Sequence, residues 1–222
     1  MKKRIPKHIA IIMDGNRRWA KKKGLIFYKG HQEGVKTFKK IVKYCSKIGV
    51  KYLTVYAFST ENKLRAKAEV SALFRILEDA LEKEVPELND NNVKIRFIGN
   101  IKGLPKSLQE RVKKSEDALS KNIGLMLSVA LNYGGREEII HAAKLSKIIN
   151  EKNIGNNLYT KGLPSPDLLI RTGGEMRISN FLLWQSAYAE LYFTDQLWPD
   201  FNEKDLTQAI LDYNNRERRF GR

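Results

Sequence analysis

Asp14, Gly15, Asn16, Arg17 and Arg18 follow directly on the apolar run Ile9 to Met13, and that order of residue types suits the binding of a diphosphate. Gly15 lets the backbone approach a ligand closely, and a helix beginning nearby offers unpaired N–H groups to an anion. Arg17 and Arg18, with Arg171 and Arg177 far along the chain, add planar guanidinium groups that match phosphate oxygens. One isolated arginine is more often solvated surface charge, but arginines beside glycines at two strand ends favour a binding role. Asp14 is then out of place, because a carboxylate among phosphates is repelled unless a cation lies between them. Magnesium bridges carboxylate and phosphate oxygens while keeping several waters. Helix N-capping is a role equally compatible with its position. Glu190, just before the last apolar run, is a candidate second carboxylate.

Ser59, Thr60 and Asn62 can hydrogen-bond a phosphate or cap the next helix, and spacing alone leaves the two even. His31, beside Gly30, reads as a loop or capping residue more readily than as a catalyst. Trp19, Phe27, Tyr28 and Phe58 are suited to an apolar pocket or to the core. The chain has no GxxxxGK[ST] loop, GxGxxG fingerprint, GxSxG elbow or HExxH pair, which argues against a P-loop, dinucleotide, serine-hydrolase or zincin chemistry. Asn16 stands where a phosphatase of the haloacid dehalogenase type places a second aspartate, and no DDxxD run is present.

These residues need strand ends to position them. Apolar runs at Ile9 to Met13, Tyr52 to Phe58, Val93 to Ile98, Leu125 to Leu131, Leu168 to Ile170 and Leu191 to Phe193 predict strands. Helical spacing recurs between them: Val35 to Cys45, Val70 to Leu88, Leu104 to Leu119, a shorter helix after Arg136, and a last one near Glu203 to Arg219. Asn150 to Pro166 reads as an irregular connection. Alternating elements predict an α/β fold, a single domain over residues 1–222 with a central, mainly parallel six-stranded sheet flanked by helices. Ligands bind beyond the carboxyl ends of such strands. Five of those ends are polar, running on into Asp14, Ser59, Gly99, Asn132 and Arg171, and should converge on one rim.

A chain of 222 residues with 42% hydrophobic and 30% charged residues fits a globular protein, neither disordered nor membrane-spanning. Its net charge of +16 attracts polyanions, whether nucleic acid, anionic lipid or phosphorylated substrates. The single Cys45, within an apolar helical pattern, reads as a core residue. The charged start Met1 to Arg4 is followed by too short an apolar run for a secretion signal, which points to the cytoplasm. No run approaches a membrane span, so any membrane contact is peripheral. A nucleic-acid-binding module, suggested by Lys21 to Lys23, finds no RRM, KH, zinc-finger or basic-zipper pattern.

The segments HIAIIMDGNRRWA (His8 to Ala20), YAFSTEN (Tyr56 to Asn62), NYGGR (Asn132 to Arg136), DLLIRTGGE (Asp167 to Glu175) and RISNFLLWQ (Arg177 to Gln185) resemble the cis-prenyltransferases of the undecaprenyl diphosphate synthase type. AYAELYF (Ala187 to Phe193), LWPDF (Leu197 to Phe201) and NRERRFG (Asn215 to Gly221) extend the match over nearly the whole chain, in order. The resemblance implies sequential condensation of isopentenyl diphosphate onto an allylic diphosphate, usually farnesyl diphosphate, with cis double bonds and a long C55 product. It also implies a magnesium-dependent homodimer.

On that resemblance Asp14 is essential and binds Mg2+ with the allylic diphosphate, which Gly15, Asn16 and Arg18 hold with help from His31. Trp19, Ser59, Thr60 and Glu61 match positions lining the substrate site, and Asn62 matches the proton acceptor. Arg65, Arg171, Arg177, Ile178 and Ser179 fall on the isopentenyl diphosphate site, and Glu190 on a metal-contacting position near the dimer interface. An apolar tunnel, lined by the Val70 to Leu88 helix with Leu125, Leu127 and Val129, is expected to receive the growing chain, whose release then requires a membrane surface. Three residues depart from the pattern: Arg17 where Gly is usual, Phe27 where Arg is usual, and Lys63 where Trp is common. Arg17, with Lys29, is expected to supply the charge lost at Phe27, and Lys63 to reach a diphosphate or lie exposed. A non-catalytic partner subunit is the remaining alternative, against which stand Asp14, Asn62 and the segment from Arg177.

Overall fold

A computed structural model describes residues 4–217. Its strands are β1 (His8–Ile12), β2 (Tyr52–Ser59), β3 (Lys94–Ile98), β4 (Met126–Tyr133), β5 (Leu168–Arg171) and β6 (Glu190–Phe193). They form one six-stranded sheet in the order β3-β4-β2-β1-β5-β6, every neighbouring pair parallel. Each apolar run predicted as a strand is one. The central runs Ile9 to Met13 and Leu168 to Ile170 are apolar throughout because both faces of the sheet are covered there, and every residue of β1 and β5 is buried. Alternation along the strand still sorts the two faces: Ile9 and Ile11 join the main core cluster, Ala10 and Ile12 the opposite one.

The helices are α1 (Asn16–Lys22), α2 (Phe27–Lys47), α3 (Lys67–Asp90), α4 (Lys106–Ala118), α5 (Gly135–Leu145), α6 (Glu151–Asn157) and α7 (Glu203–Asn215). Residues of α2, α3, α4 and α7 pack on one face of the sheet. The other face carries an aromatic cluster in which Tyr56 stacks on Phe181 at 4.5 Å between ring centroids. Cys45 is fully buried on α2, where burial pushes its thiol up to about 12, as a core residue requires.

Two expectations change. The stretch Asn150 to Pro166 is not wholly irregular, since α6 lies within it, capped by the Asn150 side chain on the Asn153 N–H at 2.8 Å. Its Asn and Gly content, unfavourable inside helices, hid the signal. His31 lies inside α2 rather than in a loop, because that helix starts eight residues before Val35, where the apolar spacing first shows it. α7 ends at Asn215; its expected extension to Arg219, the end of the NRERRFG match and the first three residues lie outside the described residues.

The winding positions the site. β2, β4 and β3 are laid down on one side of β1, and β5 and β6 on the other, so the strand order reverses between β1 and β5. Ligand crevices open at such a reversal, beyond the carboxyl ends of the strands. Asp14 follows β1 there, and Arg171 closes β5 beside it.

Candidate functional site

The turn after β1 is fixed by its backbone. Gly15 has φ +113°, which strains any side chain, and an added Cβ would lie 2.9 Å from Leu197. Gly15 itself occupies the N-cap of α1 with no side-chain bond, so Asp14 is not the cap. The Asp14 carboxylate instead accepts from Arg171 at 2.9 Å and lies 3.2 Å from Arg18. Its backbone carbonyl accepts from Thr172 Oγ1 at 2.7 Å and from the Trp198 N–H at 3.0 Å. Next to it, α1 touches α2 through Gly30, where a Cβ would fall 2.0 Å from the Asn16 carbonyl oxygen.

Arg171 is the hub. Its side chain is 6% exposed, and besides Asp14 it donates to the Arg177 carbonyl at 2.6 Å and to Ser179 Oγ at 2.7 Å. A guanidinium this deep needs a charged partner, and Asp14 supplies it across the β1 to β5 reversal. Arg18 also approaches Glu175 at 3.7 Å.

At the tip of β2, Ser59 and Asn62 cap a 3-10 turn (Thr60–Leu64) reciprocally, with Asn62 N–H on Ser59 Oγ at 3.3 Å and Ser59 N–H on Asn62 Oδ1 at 3.0 Å. Capping is therefore realised here, while both residues also line the cavity described next. Glu61 accepts from Asn180 at 2.7 Å. Glu69 on α3, only 12% exposed, takes Arg65 at 3.0 Å and Arg17 at 3.4 Å, so the extra arginine ties α1 to α3. Burial, with the positive Arg65 added, lowers the His31 imidazole to about 4. It is neutral near pH 7, and its Nε2 is buried without a partner.

These tips open into a cavity of about 1090 Å³. Asp14, Gly15, Asn16, Arg17, Arg18, His31, Ser59, Glu61, Asn62, Arg65, Arg171 and Ser179 all line it at its polar end. Its other walls are apolar, from Val35 and Phe38 of α2, Leu73, Leu77, Leu81, Val85 and Leu88 of α3, and Ile95, Phe97 and Val129 of the sheet. Leu125 and Leu127, expected in that wall, are instead buried in the core.

Six of the expected residues are not brought to this cavity. Trp19 donates to Asp200 at 2.7 Å; Thr60 has a buried, unpartnered hydroxyl; Lys63 is exposed. Arg177 pairs with Glu175 at the surface, and Ile178 packs on the aromatic cluster. Glu190 begins β6, level with Leu168 at the amino ends of the strands, away from the tips that carry Asp14, and bonds Arg216 at 3.1 Å. It cannot share a site with Asp14 in the same chain, a consequence of the strand's direction that a linear reading of the motif does not reveal. Glu69, Thr172 and Asn180 were missed. The signal for Asn180 was its place directly after Ser179, both at positive φ in a sharp turn.

An open parallel α/β sheet with guanidinium groups at one end of an apolar cavity defines a protein that takes an amphiphile with an anionic head. A family model described as "Putative undecaprenyl diphosphate synthase" matches residues 12–221. An isoprenyl transferase of Clostridium tetani is 53% identical, the match covering 98% of this chain and 89% of that protein. The ditrans,polycis-undecaprenyl-diphosphate synthase ((2E,6E)-farnesyl-diphosphate specific) of Micrococcus luteus is 51% identical over 98% of this chain and 92% of its own length. The crystal structure of lavandulyl diphosphate synthase from Lavandula x intermedia, in complex with dimethylallyl diphosphate, superposes with a TM-score of 0.93 at 41% identity over 98% of both chains. The chain belongs to the undecaprenyl diphosphate synthase family of prenyltransferases, and it is a transferase.

This family needs a divalent metal ion. Among the described residues no group of three His, Cys, Asp or Glu stands ready to hold one. A carboxylate beside arginines fits a hard cation that takes its remaining oxygens from diphosphate and water. Asp14, 31% exposed among Arg18 and Arg171 at the cavity's polar end, has the chemistry such an ion would need.

Proposed function

We propose that the whole chain, residues 1–222, forms one catalytic unit that condenses isopentenyl diphosphate repeatedly onto farnesyl diphosphate, with cis geometry, to give undecaprenyl diphosphate. The observation that carries this reading is a cavity with arginines at one end and aliphatic side chains at the other. Asp14 would hold Mg2+ together with the allylic diphosphate, the ion supplying charge neutralisation for the leaving group. Gly15, Asn16 and Arg18 surround that diphosphate, and neutral His31 offers its unpaired Nε2 to it. Arg65, Arg171 and Ser179 belong to the second diphosphate, and Arg177, paired with Glu175 at the surface, would turn from that pairing to join them. Arg171 keeps one buried donor, Nε, without a partner, while its other donors hold Asp14 and Ser179 in place.

The terminal alkene carbon of isopentenyl diphosphate attacks the allylic carbon as the allylic carbon–oxygen bond to diphosphate breaks, and the proton lost beside Asn62, as the new double bond forms, passes to the released diphosphate. Fixed donors aimed at the departing diphosphate stabilise charge that develops only in the transition state. The apolar cavity serves as the tunnel for the growing chain.

A second copy of the chain is proposed to cover the edge strand β6, where Tyr188 and Leu191 are exposed, and to bring its Glu190 toward the metal from that contact. No helix among the described residues is long and apolar enough to cross a membrane. Peripheral contact with an anionic bilayer is supported by exposed Lys21 to Lys23 beside Leu25 and Ile26, at the cavity's polar end. The test is to incubate the purified protein with farnesyl diphosphate, labelled isopentenyl diphosphate and magnesium, and to size the extracted lipid. A ladder ending at undecaprenyl is expected; no elongated lipid, with nucleic acid bound tightly at physiological salt, overturns the reading.

A further inference from the structure

At the apolar end of the cavity one wall residue is charged. Glu84 lines it about 16 Å along α3 from Leu73, at a rise of 1.5 Å per residue. Beyond it lies a second, small cavity of about 20 Å³, which shares Phe38, Glu84 and Leu88 with the first and is bounded beyond them by Lys39, Lys43 and Glu87. Lys39 of α2 crosses to α3 here. Its ammonium lies 2.9 Å from the buried Glu84 Oε2, close enough for an ion pair, and also pairs with Glu87.

The carboxylates of Glu87 and Glu84 raise the Lys39 ammonium above its ordinary range, so Lys39 stays charged near neutral pH. Pro86 stands between the two glutamates inside α3. It lacks an N–H, so the helix carries one hydrogen bond fewer at this point than elsewhere. An aliphatic tail advancing along Leu77 and Leu81 meets matched surface until it reaches Glu84. Further advance would push hydrocarbon against a carboxylate and strip it of polar surroundings, which is unfavourable.

We propose that the Lys39, Glu84 and Glu87 ion pair is a specificity-determining stop that closes the far end of the cavity between α2 and α3 and sets where the product's apolar tail ceases to grow. The inference rests on the prenyl-elongation reading above. Without the charges, the tail passes Phe38 and Leu88 into the small cavity and toward the surface beyond it. Both sides of the pair have to be removed together, because deleting one partner leaves the other charge uncompensated.

The experiment compares the product ladders of the parent protein and the double variant Lys39→Met, Glu84→Leu, with farnesyl diphosphate, labelled isopentenyl diphosphate and magnesium. Products longer than the parent's by one or more isoprene units are expected, with the rate of the first condensation within about twofold, since the charged end of the cavity is untouched. A ladder ending where the parent's ends, in a variant of parental circular dichroism, overturns the stop. If the double variant fails to fold, Glu84→Met alone, which leaves Lys39 with Glu87, carries the same two outcomes. Glu87→Gln keeps the contact between Lys39 and Glu84 and is expected to give the parental length; a shift as large as the double variant's overturns the role of Glu84. A parent that makes no elongated lipid at all refutes the elongation reading itself, a result distinct from an unshifted ladder.

Discussion

Asp14 and Leu81 line the same cavity, yet they are held in different ways. Asp14 is fixed through both its carboxylate and its backbone, by Arg171, Arg18, Thr172 and the Trp198 N–H. Leu81 is half-buried against the core with only contact packing around it. Directional bonds fix geometry to a fraction of an ångström, whereas aliphatic walls tolerate substitution of similar volume. The polar end should therefore respond to mutation in rate, and the apolar end in the size of what it accepts.

The largest break in that contrast is Asp14→Asn. It keeps the shape and hydrogen-bonding reach but removes the charge, and turnover should fall by about 10³-fold, the scale of losing a main electrostatic stabiliser. Parental circular dichroism with activity retained would refute the assignment of Asp14. Arg171→Met ranks next, judged by stability: it removes the buried partner of Asp14 and should lower unfolding free energy by about 3 kcal/mol in a denaturant titration, with turnover lost as well. No change in stability would mean that the Arg171 bonds are incidental.

Arg17→Gly restores the residue usual in the family. The structure sharpens what Arg17 does, since it reaches Glu69 at 3.4 Å from a side chain 58% exposed. Exposed pairs of this kind are worth about 1 kcal/mol or less. The Michaelis constant for the allylic substrate should rise no more than about fivefold, and an unchanged constant removes the case for compensation at Phe27.

The last effect concerns pH. His31 titrates near 6.5 when unfolded and at about 4 when folded, so between those values the unfolded chain binds the extra proton. Stability should consequently fall as pH drops from 6.5 toward 4, and His31→Asn should flatten that part of the profile. An unaltered slope in the variant would place the acid sensitivity elsewhere.

Much of this was legible in the sequence because the central strands are apolar and their carboxyl ends are where polarity returns. Asp14, Ser59 and Arg171 could be placed on one rim for that reason. The contact between Asp14 and Arg171 could not, since it joins residues 157 apart through the reversal of strand order. Where Glu190 sits was hidden by the same cause: its distance from Asp14 within one chain depends on which end of β6 it occupies. Glu69 lies in none of the recognised segments, and Asn180, although inside RISNFLLWQ, looks in sequence like any surface amide. The cavity itself left no sequence signal, because Leu77 and Leu81 on its wall have the same helical spacing as Leu108 and Val112 of α4, which are buried in the core.

The central claim, that one end of the cavity performs the chemistry and the other measures its product, is tested most directly by enlarging Ala80, a small residue on the α3 wall. Labelled products of Ala80→Phe should be shorter than the parent's by several isoprene units, with as many chains started per enzyme. A ladder of parental length, or chain initiation lost together with length, would contradict the separation.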